Sequence, residues 1–325
     1  MPSEIIDGKA VAAEIKQQVA VEAETLRQAH HPPSLVAVQV GDDPASELYT
    51  NMQRRNCAAV GINYQLLNLF GDISQHGLLQ QIDTLNRSDT VDGIVLQLPL
   101  PAHIDTRAAQ MEIDPAKDVE GVHPENMGRL FYGGWVTADC TPMAAVELLR
   151  RVREDMSGLE AVVIGHSAIV GKPLAMLLLQ SIDRSPTVTI CHVATRDLTA
   201  HTRQADIVVA ATGVRQMRWL RYKHDRAAGK SPERPDLSPL ITSDMIKPGA
   251  TVIDVAINRI PVGFDDTGEP LRDDEGKVWL QTVGDVDFDA CRAVAGAITP
   301  VPGGVGPVTV AMLLRNTIAC AEGWG

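Results

Sequence analysis

The stretch at residues 161–178, AVVIGHSAIVGKPLAMLL, reads as an apolar strand, a turn holding Gly165 and Gly171, and a helix opened by Pro173. A turn of this kind delivers backbone amides and a helix N-terminus to a pyrophosphate. The two glycines do not make a GxGxxG, so the pattern is loose in itself and draws its weight from what surrounds it. It opens a series of strand-like runs that continues at 188–192, 207–211 and 251–255. An earlier series has strand-like runs at 35–40, 64–69 and 93–98, separated by helical patterns at 9–28, 46–60 and 74–86. Such alternation predicts an α/β protein with a mostly parallel sheet. Between the two series Thr141 and Pro142 open a helix running to about residue 153, with the hydroxyl as cap and proline at the first helical position. A chain of 325 residues is long for one core. Two domains are therefore expected, an N-terminal three-layer α/β domain and a Rossmann-like nucleotide-binding domain. The boundary falls near the 141–153 helix, with residues 1–140 plus 300–325 in the first domain and 141–299 in the second.

Composition narrows the function classes. The chain is 45% hydrophobic and 22% charged, as in an ordinary soluble globular protein. Its formal charge of −12 repels a polyanion, and aromatics at 4% leave few stacking platforms, so no nucleic-acid partner is expected. The five cysteines, at 57, 140, 191, 291 and 320, are scattered and lack CxxC spacing, which reads as reduced thiols and no metal site. The N-terminal segment has no apolar core of a secretion signal, and no stretch is long enough to span a bilayer, so a cytoplasmic protein without a membrane partner is expected.

Residues 300–307 hold three prolines and three glycines, a composition expected to exclude regular structure. An apolar run from Val308 to Cys320 follows, long enough for a buried helix. A stiff, side-chain-poor loop at a helix N-terminus serves either as a tight interdomain turn or as a resting place for a planar or anionic ligand. Residues 215–240 break the rhythm, with seven Lys/Arg against three acidic residues where a βα loop of a few residues is expected. They read as a solvated insertion, or as a docking or phosphate-contacting segment. His123 reads as a polar loop histidine. Cys191 and His192 point to opposite faces of a strand, so they form no nucleophile pair. His30 and His31 read as a helix end.

With these pieces in place the chain resembles the methylenetetrahydrofolate dehydrogenase/cyclohydrolase family, the FolD type, over nearly its whole length. The matching motifs, in order, are GDDPAS with Tyr49, DGIVLQLPLP at 92–101, KDVEGVHPEN at 117–126 and CTP at 140–142. GHSAIVGKP, ATG at 211–213, GATVIDVAIN at 249–258, VGDVDFD at 283–289 and TPVPGGVGP complete the set. The resemblance implies hydride transfer from 5,10-methylenetetrahydrofolate to a nicotinamide, then opening of the methenyl product by water, in a cleft between the domains. It also implies a homodimer joined through nucleotide domains. Tyr49, Gln97, Pro99, Glu120, Pro302 and Gly303 fall at folate-binding positions, and Gln97, Tyr49 and Gln53 at the catalytic ones. Gly165, His166, Ser167, Gly171, Thr212, Gly213 and Ile257 fall at cofactor-binding positions.

The departures are informative. The family reads tyrosine, three residues, lysine; here Tyr49 is followed by Gln53. That lysine is the expected acid/base of the hydrolytic step, and glutamine cannot exchange a proton at neutral pH. Arg54 is adjacent, but one helical residue turns a side chain by about 100°. The dehydrogenase is therefore expected to survive and the cyclohydrolase to be weak or absent. A full bifunctional enzyme and a non-catalytic folate- or nucleotide-binding paralogue are the alternatives. Glu120 stands where the family has aspartate, His166 where it has arginine, Val193 at a position that is often polar or basic, and Ala256 where it has glycine. No acid directly follows the 188–192 strand, so the usual clamp on the NAD ribose is missing and NADP is expected, with NAD open.

Overall fold

The computed structural model describes residues 3–41 and 44–323 and, of residues 44–49, the backbone. The chain forms two compact units, Ala10–Met143 with Val308–Gly325, and Met1–Lys9 with Ala144–Pro307.

The chain opens with β1 (Glu4–Ile5) and α1 (Gly8–Gln28). It then alternates β2 (Ser34–Val40), α2 (Pro44–Val60), β3 (Asn63–Leu69), α3 (Gln75–Asn86) and β4 (Gly93–Leu96). Three helices follow, α4 (Thr106–Glu112), α5 (Pro124–Tyr132) and α6 (Cys140–Val152). In the first unit β3, β2 and β4 lie side by side in that order, both pairings parallel. The central strand β2 is buried from Leu35 to Val40, as a near-continuous apolar run requires when both faces are covered. Val36, Val38, Ile94 and Leu96 of this sheet pack against Leu78 and Ile82 of α3 and Ala109 of α4. β4 ends two residues before the expected position 98, where Pro99 and Pro101 cannot donate to a ladder. The opening of α6 also differs from expectation. Asp139, not Thr141, is the cap: its carboxylate accepts from the Thr141 N–H at 2.9 Å and its carbonyl accepts from the Met143 N–H. A carboxylate there satisfies an orphan amide and meets the positive end of the helix.

The second unit continues with β5 (Glu160–Ile164), α7 (Gly171–Leu178), β6 (Thr187–Cys191), α8 (Leu198–Thr202), β7 (Ile207–Ala210) and α9 (Val214–Ala227). Then come β8 (Thr251–Asp254), β9 (Asn258–Pro261), β10 (Leu280–Val283), α10 (Phe288–Arg292), β11 (Ala297–Ile298) and α11 (Val305–Glu322). Its sheet runs β1-β11-β8-β7-β5-β6 with every pairing parallel. The chain leaves β5 for β6 on one side and returns to β7 on the other, so the order reverses at β5. Ligands of open α/β sheets settle at the carboxyl end of such a switch point, and here that end is Gly165. Val162, Ile164, Val208, Ala210, Val252 and Ile298 form the core over this sheet with Ile241 and Cys291.

Two stretches join a different unit from a division at 140 and 300. β1 adds to the edge of the second sheet, with the amides of Glu4 and Ile6 donating to Gly296 and Ile298 at 2.9 Å each. Residues 300–307 stay with that unit as well. Nor is the whole 300–307 loop irregular: α11 starts at Val305, and Pro307 sits in its first turn, where a missing N–H breaks no bond. The loop lies against the start of α1, where a Cβ at Gly8 would come within 1.8 Å of the Gly304 carbonyl oxygen. The basic stretch 215–240 is half helix. Trp219 and Tyr222, three apart on α9, bury one face against Ile260 of β9, and 228–240 follows without regular helix or strand. Among the described residues no helix is long and apolar enough to cross a membrane.

Candidate functional site

Gln53 lies on the buried stripe of α2, which also carries Thr50, Cys57 and Val60 at helical spacing. Its side-chain oxygen accepts from the Tyr64 hydroxyl at 3.2 Å and from the Gln97 amide at 3.1 Å. Gln97, also buried, follows the end of β4, and its own N–H holds the Val38 carbonyl, so the carboxamide is fixed on the frame of the sheet. Burial pushes the Tyr64 hydroxyl up to about 12, keeping it a donor. Arg54 is exposed, and its guanidinium lies 5.9 Å over the Tyr64 ring, so it does not take the place of Gln53. The Tyr49 side chain lies outside the described residues. Pro99 is exposed at the head of the loop after β4.

Glu120 sits in a separate acidic cluster with Asp118 and Asp139. Asp118 is buried and accepts from the His123 amide at 2.8 Å and the Asn126 side chain at 2.9 Å. Glu120 is crowded by protein on most sides although its surface keeps some exposure. Burial first, then the charges of Asp118 and Asp139, push it up to about 8. Asp139 rises to about 7, chiefly through burial, against the pull of the Thr141 amide. Two carboxyl groups that hold protons near neutral pH are thus neighbours of the buried Cys140 thiol, which burial raises. Sequence reasoning named Glu120 and passed over Asp139, whose only signal was its place before a helix-opening Thr-Pro. His123 proves to be a cap: its Nδ1 accepts from the Glu125 amide at 3.1 Å.

In the second unit Gly165 follows β5 with φ 133°, and a Cβ there would lie 2.4 Å from the Ala211 carbonyl oxygen. A Cβ at Gly171 would lie 2.0 Å from the Gly165 oxygen. Both positions therefore require glycine, and the turn they allow lies tight against the N-terminus of α7. Ser167 Oγ accepts from the Val170 and Gly171 amides at 3.0 and 3.4 Å, closing the turn. His166 is exposed, and its ring stands 4.8 Å from that of His192 at the end of β6. His192 Nδ1 accepts from the Ala194 amide, which leaves Nε2 to carry the hydrogen of the neutral ring. The pairing of these imidazoles was not legible in the sequence, because it depends on β5 and β6 being neighbours.

Thr212 and Gly213 do not present free donors. Their amides reach one oxygen of Asp285 at 2.9 and 3.0 Å, the Thr212 hydroxyl reaches the same oxygen at 2.6 Å, and Asn258 holds the other at 3.0 Å. Asp254 accepts from the amides of Ala256, Asp285 and Val286, and burial carries it up to about 7. Asp254 and Asp285 thus lock the ends of β7 and β8 to the 284–286 loop. Ile257 is exposed beside them, and a Cβ at Gly306 would meet its side chain at 3.9 Å. Gly303, with φ 108°, and Pro302 form the turn before α11.

Fold and site together define a two-unit α/β protein with a nucleotide-type turn at the switch point of its larger sheet. Residues 6–120 match the tetrahydrofolate dehydrogenase/cyclohydrolase catalytic domain, and residues 139–220 and 237–323 match the NAD(P)-binding domain of the same family. The chain belongs to the tetrahydrofolate dehydrogenase/cyclohydrolase family. A bifunctional protein FolD of Cupriavidus taiwanensis is 44% identical over 322 residues, covering 99% of each chain. The crystal structure of the bifunctional FolD dehydrogenase/cyclohydrolase of Campylobacter jejuni has a TM-score of 0.79 at 37% identity, covering 98% of this chain and 99% of that one. That of Trypanosoma brucei, complexed with NADP and an inhibitor, has a TM-score of 0.80 at 33% identity, covering 99% and 98%.

Proposed function

We propose that the protein oxidises 5,10-methylenetetrahydrofolate to 5,10-methenyltetrahydrofolate with NADP as hydride acceptor, and that its cyclohydrolase activity is weak or absent. The observation that carries this reading is the buried Gln53 carboxamide, held by Tyr64 and Gln97 where the family pattern has lysine. The bridging carbon of the substrate is activated by its own nitrogen lone pairs, so hydride loss needs alignment and no side-chain proton donor. Gln53 through its NH2 group and Gln97 through its free oxygen would hold the folate, with Tyr49, Pro99 and Glu120 at further contacts in the first unit. Pro302 and Gly303, of the second unit, belong to the same proposal as folate-binding positions.

NADP supplies the hydride acceptor. The turn fits its pyrophosphate, because backbone at Gly165 and Gly171 leaves no room for a Cβ and the α7 N-terminus offers positive charge. The His166 and His192 rings, with no acid after β6, would favour the 2′-phosphate of NADP over the bare ribose of NAD. Thr212 and Gly213, fixed by Asp285, and Ile257 would shape the nicotinamide end. Hydrolysis of the methenyl product asks for a group that exchanges a proton, and loss of such help costs roughly 100- to 10,000-fold. A homodimer in solution belongs to the same proposal and would show as twice the 35.0 kDa chain mass in light scattering.

A second reading, the full bifunctional enzyme, has one observation in its favour. Glu120 and Asp139, at about 8 and about 7, could exchange protons at neutral pH in place of the lysine. Following methenyltetrahydrofolate by absorbance separates the readings. Its accumulation supports a dehydrogenase alone, and enzyme-dependent disappearance that is lost in Glu120→Gln supports the second. Ligand binding without turnover would leave a non-catalytic paralogue.

A further inference from the structure

The second unit contains a cavity that the proposed reaction does not use. It has a volume of about 500 Å³ and lies between the irregular stretch 234–238 and the β9–β10 hairpin. Its apolar wall is Leu237, Ile260, Val262 and Phe264, and its two cations are Arg215 and Arg234. The volume falls within the range that holds small-molecule ligands. The stretch 221–236, which supplies Arg234, lies outside the residues that match the family's NAD(P)-binding domain.

Arg215 explains why the cavity calls for an anion. The residue is 8% exposed, and its guanidinium donates Nε to the Leu237 carbonyl at 2.7 Å and Nη1 to the Gly284 carbonyl at 2.8 Å. Carbonyl oxygens satisfy donors but do not neutralise charge, and a buried cation is costly until it is paired. Among the described residues no carboxylate bonds to it. Asp285, Asp254, Asp287 and Asp236 act on it through space, and the oxygens of the first two are engaged by backbone amides, Thr212 and Asn258. Burial accordingly holds the Arg215 guanidinium below its ordinary value.

Arg234 stands at the same cavity with its guanidinium carbon 4.5 Å over the centre of the Phe264 ring. Stacking uses the face of a guanidinium and leaves its N–H edge outward. Arg234 has no ion pair among the described residues. The one acid in the lining, Asp236, is already taken by Arg218 at 3.3 Å and by the Ser238 amide at 3.0 Å. One buried guanidinium bonded only to carbonyl oxygens and one stacked guanidinium without an ion pair among the described residues, on an apolar-walled cavity, make a receptor for an oxyanion.

We propose that this cavity is a second ligand site, taking a phosphate group that meets Arg215 and Arg234. The phosphate comes from a nucleoside monophosphate or from free phosphate. The test is calorimetric titration of the full chain, already saturated with NADP, with AMP in one arm and inorganic phosphate in the other. Saturable binding of one equivalent is expected, weakened about tenfold or more in Arg234→Ala. Val262→Trp, which fills the cavity from a partly exposed position, should abolish it, with far-UV circular dichroism unchanged in both variants. Tighter binding of AMP assigns the ester, and equal binding assigns the free ion. No saturable binding of either probe, or binding that Arg234→Ala and Val262→Trp leave intact, would overturn the proposal. The Arg234 dependence of phosphate binding can be read even in a protein that fails to bind NADP.

Discussion

Gln53 decides more than any other side chain. Its oxygen is committed to Tyr64 and Gln97, so the amide presents a donor and no titrating group. Restoring the family residue with Gln53→Lys should raise methenyltetrahydrofolate hydrolysis by roughly 100-fold or more while leaving hydride transfer within a few-fold; both rates are read by absorbance. Tyr64→Phe removes one of two bonds to a buried oxygen and should lower stability by about 1 kcal/mol in denaturant titration. The spacing of Gln53 from Tyr49 was legible in the sequence, because it is local. Its two hydrogen bonds were not, since Tyr64 and Gln97 come from β3 and the end of β4 and meet it only through the register of that sheet.

At the scale of elements, the strand–turn–helix at 160–178 behaved as its composition said it should. Gly165 marks the place where strand order reverses, and Gly171 packs on it so closely that no other residue fits. Gly171→Ala should therefore push the turn open and lower NADP affinity by at least tenfold, with the helical signal in circular dichroism retained; an unchanged dissociation constant would remove the turn from the site. Element ends were read less well than element types. Thr141 looked like a cap, but Asp139 stands one position before the helix and its carboxylate accepts from the Thr141 amide. The proline-glycine loop looked wholly irregular, but proline in a first turn costs nothing, so α11 begins within it. The basic stretch looked like a loop because its charges masked Trp219 and Tyr222, which bury one face of a helix.

For the molecule as a whole, the acidic cluster sets a pH dependence whose sign is fixed. Glu120, Asp139 and Asp254 hold their protons more tightly folded than unfolded, with values near 8, 7 and 7 against an ordinary value of about 4. Between those limits the folded chain binds more protons than the unfolded chain, so stability falls as pH rises. Their contribution is fully present below about pH 4 and is lost by about pH 8. The melting temperature should drop between pH 6 and pH 8.5, and Glu120→Gln with Asp139→Asn should flatten that slope; a rise across this range would contradict the burial of the cluster. The six-stranded sheet was legible only as an α/β series, because β1 joins its edge by pairing Glu4 with Ala297 and Ile5 with Ile298, which no local pattern reports.

The central claim is that one cofactor-dependent step survives and the hydrolytic step does not. Its most direct test is a time course of methenyltetrahydrofolate absorbance after the purified protein receives methylenetetrahydrofolate and NADP. The account predicts that the methenyl compound accumulates and then decays no faster than in buffer alone. Decay that scales with enzyme concentration would contradict it.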